Sequence, residues 1–455
     1  MLDRLWVLAS VGHLFTDVNP AEYGFLSVIA EFSDRSVFEQ LADPKARADL
    51  LHACRLVGNQ MHGTLGALGV VMLAWVEATG VVLGTGLLRG VALTQSTLTV
   101  GLWMVGLWRA TGSSLVLVVF AAAATLGPPV WLGLNLLCWG THETVGLIQA
   151  MLVCVALPWM AHPASEGQQG LRTVGMGFCT GLAALLNPAL ALPAVSATLG
   201  VAMARWICHP SLRALQTALL TVMVAALVGV GVLQWVLSTG WLDGLGYPRG
   251  LPLDRLTGFI GKNGGPLLHT RADDVVELAR WRTEARARAF IQAPTAAYGV
   301  FAAQAEWATR LVILGTGVLA VSLVGRRGDE DSRGSNRAAA WLGIHLVVGL
   351  LATLWLTRHT SLDPTVPTGA PSRYFAHLYP FGFAVLSMVA GLRTPPIRRI
   401  LAVAATGWVL WVGAFEHWRS VDPARLDATE LAVALRYDGA TAWFTDRPDP
   451  MPPVD

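Results

Sequence analysis

Long apolar runs separated by short polar connections dominate this chain. Clear runs occupy residues 91–108, 113–127, 143–161, 211–238, 307–325, 338–357, 374–392 and 398–416. Most approach the ~20 residues that a helix needs to cross the hydrocarbon of a bilayer. They lack the charged positions at helical spacing that a surface helix of a soluble domain carries. The stretch 173–204 is apolar throughout but is broken at Asn187-Pro188, which predicts two short helices meeting at a polar turn. Backbone groups freed at such a break must be buried in protein or face water.

The N-terminal quarter reads differently. Only Leu5 to Phe15 is apolar there, about half the length of a span. No cleavage site follows it, so it does not read as a signal peptide; either the first helix is very short or the true start lies upstream. The segment 61–88 carries Glu77 at its middle and is divided by glycines. A central Glu costs about 2.5–3.5 kcal/mol or more in lipid, which favours helices lying at the outer membrane surface over a crossing. If 61–88 did cross, residues 17–60 would change sides. The predicted fold is therefore all-α: a polytopic transmembrane helical protein of about ten or eleven spans. Its regions are 1–90 (a short first helix and an extracytoplasmic loop with interfacial helices), 91–238 (transmembrane helices), 239–306 (an extracytoplasmic loop of mixed helix and coil), 307–416 (C-terminal transmembrane helices) and 417–455 (a short extracytoplasmic tail).

Arginine placement orients this layout. Alternating spans gather Arg109; Arg172; Arg205 and Arg213; Arg326, Arg327, Arg333 and Arg337; and Arg393, Arg398 and Arg399 on one side. The connections 128–142 and 187–188 carry neither Lys nor Arg, and 358–373 carries Arg358 and Arg373. The positive-inside rule makes the arginine-rich side cytoplasmic. The expected location is thus a multi-pass position in a bacterial inner (plasma) membrane.

Composition agrees with this picture. Hydrophobic residues make up 54% of the chain and charged residues 14%, against about 25% charged in a soluble domain. The net charge of +2 offers no basic surface for nucleic acid. Lys45 and Lys262 are the only lysines, which fits a GC-rich genome better than a role in binding. Cys54, Cys138, Cys154, Cys179 and Cys208 form no CxxC pattern, so a structural zinc site is not expected. Buried thiols are the default reading, although the topology puts Cys54 and Cys138 on one outer side, where a disulfide is open to them. In the loop 239–306, Ala272 to Ile291 reads as a helix with Arg280, Arg282, Arg286 and Arg288 along it. A solvated face is favoured there over a lipid-phosphate surface.

Candidate chemistry collects in the outward connections. Arg310, His345, His377 and Glu416 sit alone or near span ends, whereas ion-coupled transporters place paired ionisable groups at mid-membrane. Asp17 and Glu22 follow the first apolar segment, His62 precedes 61–88, His142 and Glu143 open one span, and Arg373 and Tyr374 open another. The topology places all seven just outside the membrane. A carboxylate there can deprotonate an acceptor hydroxyl or amine while a cation holds a leaving phosphate. Each residue also has a bland role: Asp17 as a helix cap, His142 as an interfacial side chain, Arg373 as a snorkelling cation at a helix end.

Four stretches resemble the GT-C membrane glycosyltransferases of the protein-mannosyltransferase and lipid A aminoarabinose transferase type. Asn19-Pro20-Ala21-Glu22-Tyr23 resembles the first-loop Pro-Asp-Glu-x-x-Tyr signature, without its tyrosine spacing. His62-Gly63-Thr64-Leu65 resembles His-x-Pro-Leu. Gly177 to Pro188 resembles the Gly-Leu-x-x-Gly-Leu-Ala helix and its outer turn. Ser372 to Pro380 resembles the Arg-Tyr helix start. The resemblance implies a GT-C-like fold and transfer of a sugar from a polyprenyl-phosphate-linked donor to an extracytoplasmic acceptor. Glu22 would be the base or position the acceptor, with Asp17 as a substitute, and Arg373 would contact the donor phosphate. It fixes no cofactor and is compatible with a divalent cation. The family's acid pair reads Ala21-Glu22 here, so the first acid is missing. Two rival readings stay open: a lipid or amphipath transporter or flippase, and a non-catalytic, degenerate GT-C-like membrane protein.

Overall fold

The computed structural model describes residues 32, 34–57, 73–80, 85–127, 131, 141–162, 166–186, 211–238, 312, 314–320, 330–357, 378–391 and 396–420. Among these residues the ordered structure is helical, without strands. In chain order the helices are α1 (Val37–Ala42), α2 (Pro44–Val57), α3 (Thr85–Thr111), α4 (Ser114–Thr125), α5 (Thr141–Ala161), α6 (Glu166–Leu186), α7 (Leu212–Ser238), α8 (Glu330–Thr357), α9 (Tyr379–Gly391) and α10 (Pro396–Ser420). Further helical turns cover 73–79 and 314–320.

Local sequence explains several of the boundaries. Ser113 accepts from the Val116 N–H and caps α4, and the Ser211 hydroxyl accepts from the Ala214 N–H at the start of α7. Gly80 closes the 73–79 helix with φ +63°, a left-handed conformation that residues with a side chain adopt with strain. One continuous helix over 61–88 is therefore excluded. α1 and α2 fall in a stretch where sequence periodicity predicted no particular helix. The readable signal was Asp43-Pro44: Asp43 Oδ1 accepts from the Lys45 N–H at 3.0 Å, and proline stands at the first helical position.

α9 is the spine of the bundle. Every residue from Leu378 to Ala390 is buried, and the helix packs against α4, α8, α10 and α3. A helix apolar on all sides belongs at the centre of its neighbours. Phe381 meets the Trp103 ring edge-on at 4.7 Å and lies 3.7 Å from the His345 imidazole of α8; Trp103 stacks on Phe120 of α4 at 5.9 Å. Such aromatic pairs contribute about 0.5–1.5 kcal/mol each beyond area burial.

A second strong contact joins α6 and α7. Gly177 lies against Ala225 and Val228, and Gly181 against Gly229, where an added Cβ would stand 2.6 Å from the Gly229 carbonyl oxygen. Small residues let two helix backbones approach closely, which is how helices associate where no hydrophobic force separates them from lipid. Positions 177 and 181 on α6 match 225 and 229 on α7, so the two helices run parallel.

The other contacts fix the remaining directions. Gly106 of α3 packs on Cys154 of α5, and the His162 imidazole Nε2 donates to the Arg109 carbonyl at 3.0 Å, so α3 and α5 end together. Arg337, early in α8, donates from Nε to the Met160 carbonyl at 3.2 Å, and Gly334 abuts Ala161. Gly391, at the end of α9, meets Val116 at the start of α4. Short connections then place the starts of α6 and α10 beside the ends of α5 and α9. One pole of the bundle thus holds the ends of α3, α5 and α9 and the starts of α4, α6, α7, α8 and α10. Leu186 and Ser211 lie at opposite poles.

Candidate functional site

The two poles differ in chemistry. Arg109, Arg213, Arg337 and Arg399 all lie at the first pole, on the helix ends just named, as do the backbone positions of Arg172 and Arg398. Cations suit the C-terminal ends of α3 and α5, whose last carbonyls have no intrahelical partner. Arg337 satisfies two of these carbonyls, reaching Met160 and Ala161. The Arg109 side chain turns back to the Cys154 thiol.

The opposite pole holds the start of α5, and with it the backbones of His142 and Glu143, adjacent in its first turn. That is the end predicted to face outward. Asp17, Glu22, His62, Arg373 and Tyr374 lie outside the described residues, as do the predicted helix 272–291, the loop 239–306 and the tail from 421. Of the seven predicted site residues, the structure thus places His142 and Glu143 together and leaves the other five unplaced. α9 begins five residues after Tyr374, at this same pole.

The 73–79 helix is tied to this pole by the chain. Gly80 stands five residues before Thr85, the start of α3 at this pole, and so lies within roughly 17 Å of it. Glu77 is solvent-exposed, and its Oε2 accepts the Val37 N–H at 2.8 Å. The Ser36 hydroxyl and the Val37 N–H, in that order, favour the ionised carboxylate and hold it below the usual glutamate range. Sequence reasoning treated Glu77 only as an obstacle to a membrane crossing. Its partner forty residues away left no local signal.

Among the described residues of the bundle the buried polar side chains are mostly threonines, joined by Gln149, His345 and Ser387. His345 is fully buried between Trp341 and Phe381. The Ser387 hydroxyl donates to the Ala384 carbonyl of its own helix. Among the described residues no group of three or more His, Cys, Asp or Glu could hold a metal ion. Cys154 and Cys179 are free thiols. Cys138, and with it the Cys54–Cys138 pairing, lies outside the described residues.

The class defined by these features is a protein that is all-helical over its described residues, among which two helices, at Gly90–Thr111 and Leu212–Trp235, are long and apolar enough to cross a membrane. Both sit on predicted spans. Compared with protein-family models, with curated proteins and with solved structures, the chain gives no match.

Proposed function

We propose that this chain is a multi-pass membrane glycosyltransferase of GT-C-like type that moves a sugar from a polyprenyl-phosphate-linked donor to an extracytoplasmic acceptor. The observation that carries the reading is the polarity of the bundle. Arginine-bearing helix ends gather at one pole, and the start of α5 with His142 and Glu143 stands at the other. This is the arrangement expected of a protein whose inner face is basic and whose chemistry faces outward. The exposed faces of α7 (Leu219, Leu220, Met223, Leu227, Val230) and α10 (Ile397, Ile400, Leu401, Val403) give apolar surface suited to lipid rather than water. The plasma membrane of a bacterium fits this topology.

In this reading Glu22 takes the proton of the acceptor hydroxyl or amine as that group attacks the anomeric carbon of the donor. The bond to the polyprenyl phosphate breaks, and Arg373 holds the phosphate as its negative charge grows. Asp17 stands in for the acid that Ala21 replaces, and His62, His142, Glu143 and Tyr374 line the donor and acceptor sites. A divalent cation beside the phosphate is compatible with this chemistry. The test is transfer of labelled sugar by membranes containing the protein. Glu22→Gln is expected to lower the rate at least a hundredfold, in the usual range for a general base, and Arg373→Ala to weaken donor use. Wild-type rates in both variants would remove the site.

Alanine at position 21 supports a second reading, a non-catalytic relative of these enzymes. It predicts no transfer by the unaltered chain with any polyprenyl-linked sugar, together with retained binding of the polyprenyl phosphate alone.

A further inference from the structure

We infer that the Glu77 carboxylate is a protonation-sensitive clamp that holds the α1–α2 helix pair to the 73–79 helix. Ser36, the residue before α1, is non-helical at φ −56° and ψ 129°, and its side chain makes no capping bond to α1. The first N–H of α1, on Val37, would be an orphan donor. Glu77 supplies the missing acceptor from another part of the chain, with Oε2 at 2.8 Å, and the Ser36 hydroxyl donates to the same carboxylate. Gly80 ends the 73–79 helix three residues later and fixes where that carboxylate is presented. α1 and α2 pack against each other, so holding the start of α1 holds the pair.

Protonation would weaken the clamp, because a neutral carboxyl is a poorer acceptor and introduces an O–H donor of its own. The titratable and charged groups on the α1 side are Asp34, Arg35 and Glu39; on α2 they are Lys45, Arg47, Asp49, His52 and Arg55, with Asp43 between the helices; the 73–79 helix carries none besides Glu77. Glu77 is exposed, so protons reach it freely. Its lowered pKa sets the sign: the clamp is fully closed above the ordinary glutamate value of 4.5 and opens as pH falls through the depressed one. On the proposed function, α1 and α2 follow Asp17 and Glu22 in the chain, so the clamp would also anchor the first outer loop; that consequence alone rests on the transferase reading.

Hydrogen–deuterium exchange of the full chain in lipid nanodiscs tests the clamp. At neutral pH, Glu77→Gln should raise exchange over residues 36–40 severalfold while leaving α3 to α10 unchanged. Ser36→Ala, which keeps the Val37 N–H, should give a smaller rise. Wild-type exchange, corrected for the intrinsic rate, should stay level from neutral pH down to the ordinary glutamate value of 4.5 and climb as the pH falls further, and exchange in Glu77→Gln should not. Equal exchange in wild type and Glu77→Gln, or a wild-type profile flat with pH, overturns the proposal. Should Glu77→Gln fail to fold, the wild-type titration decides alone. No sugar donor enters the measurement, so failure of the transferase reading and failure of the clamp are separate results.

Discussion

Arg337 and Met160 lie 177 positions apart in the chain, yet the Arg337 Nε donates to the Met160 carbonyl at 3.2 Å. The bond closes the last turn of α5 with a cation from the start of α8, and a second bond reaches Ala161 at 3.5 Å. Arg337→Ala should destabilise the half-buried junction by about 1.5–3 kcal/mol, the usual range for hydrogen bonds to a charged group. Arg337→Lys should recover only part of that, since an ammonium lacks the planar fork that serves two carbonyls. Thermal unfolding in detergent, followed by circular dichroism, checks the order wild type, Lys, Ala.

The α6–α7 crossing should be intolerant of bulk. An added Cβ at Gly181 already stands 2.6 Å from the Gly229 carbonyl oxygen, so Gly181→Leu must push the helices apart. Overpacking of this kind costs about 1–3 kcal/mol or more. Gly231 on α7 has nothing within 4 Å of an added Cβ, and Gly231→Ala should be neutral or slightly stabilising by helix propensity. Melting temperatures of the two variants, measured side by side, separate crossing from propensity.

Topology is open to direct labelling. Cysteine at Arg213 or Arg399, at the arginine pole, should react with a membrane-impermeant maleimide only after the cells are opened. Cysteine at His142 should react in intact cells. The parent for these variants should have its five natural cysteines removed. Labelling of position 142 from the cytoplasmic side would reverse the orientation, and with it the outward site.

Trp235 is 69% exposed near the C-terminal end of α7, and Trp108 is 49% exposed near the C-terminal end of α3, at the opposite pole. Tryptophans at both ends of membrane helices sit at headgroup depth. In single-tryptophan variants, both should therefore be quenched more strongly by lipids brominated near the headgroup than by lipids brominated at the chain terminus. Equal quenching by bulk iodide and none by either lipid would place these faces in water.

The apolar runs were a good guide to the helices. The run 143–161 became Thr141–Ala161 and 211–238 became Leu212–Ser238, because long uninterrupted apolar segments leave the backbone little alternative to satisfying itself. The predicted break at Asn187-Pro188 lies outside the described residues. By length and apolarity, two helices rather than ten meet the full requirement of a span among the described residues; α4 and α9 are short and packed on several sides. α1 and α2 were harder to read: their mixed polarity gives no clean period, and what holds α1 is a carboxylate from a distant helix. Of the candidate site, sequence proximity made the His142–Glu143 pair legible, whereas bringing Glu22 to Arg373 depends on long-range packing that no local pattern encodes.

The burial of α9 on every side bears on how the molecule is made. Its thirteen residues emerge from the ribosome after α3 to α8. Until they do, Trp103, Phe120 and His345 face a groove with no tenant. A nascent chain stopped short of Tyr379 should therefore remain a loose assembly open to lipid, and synthesis of this one short segment should be the event that converts it into a closed fold.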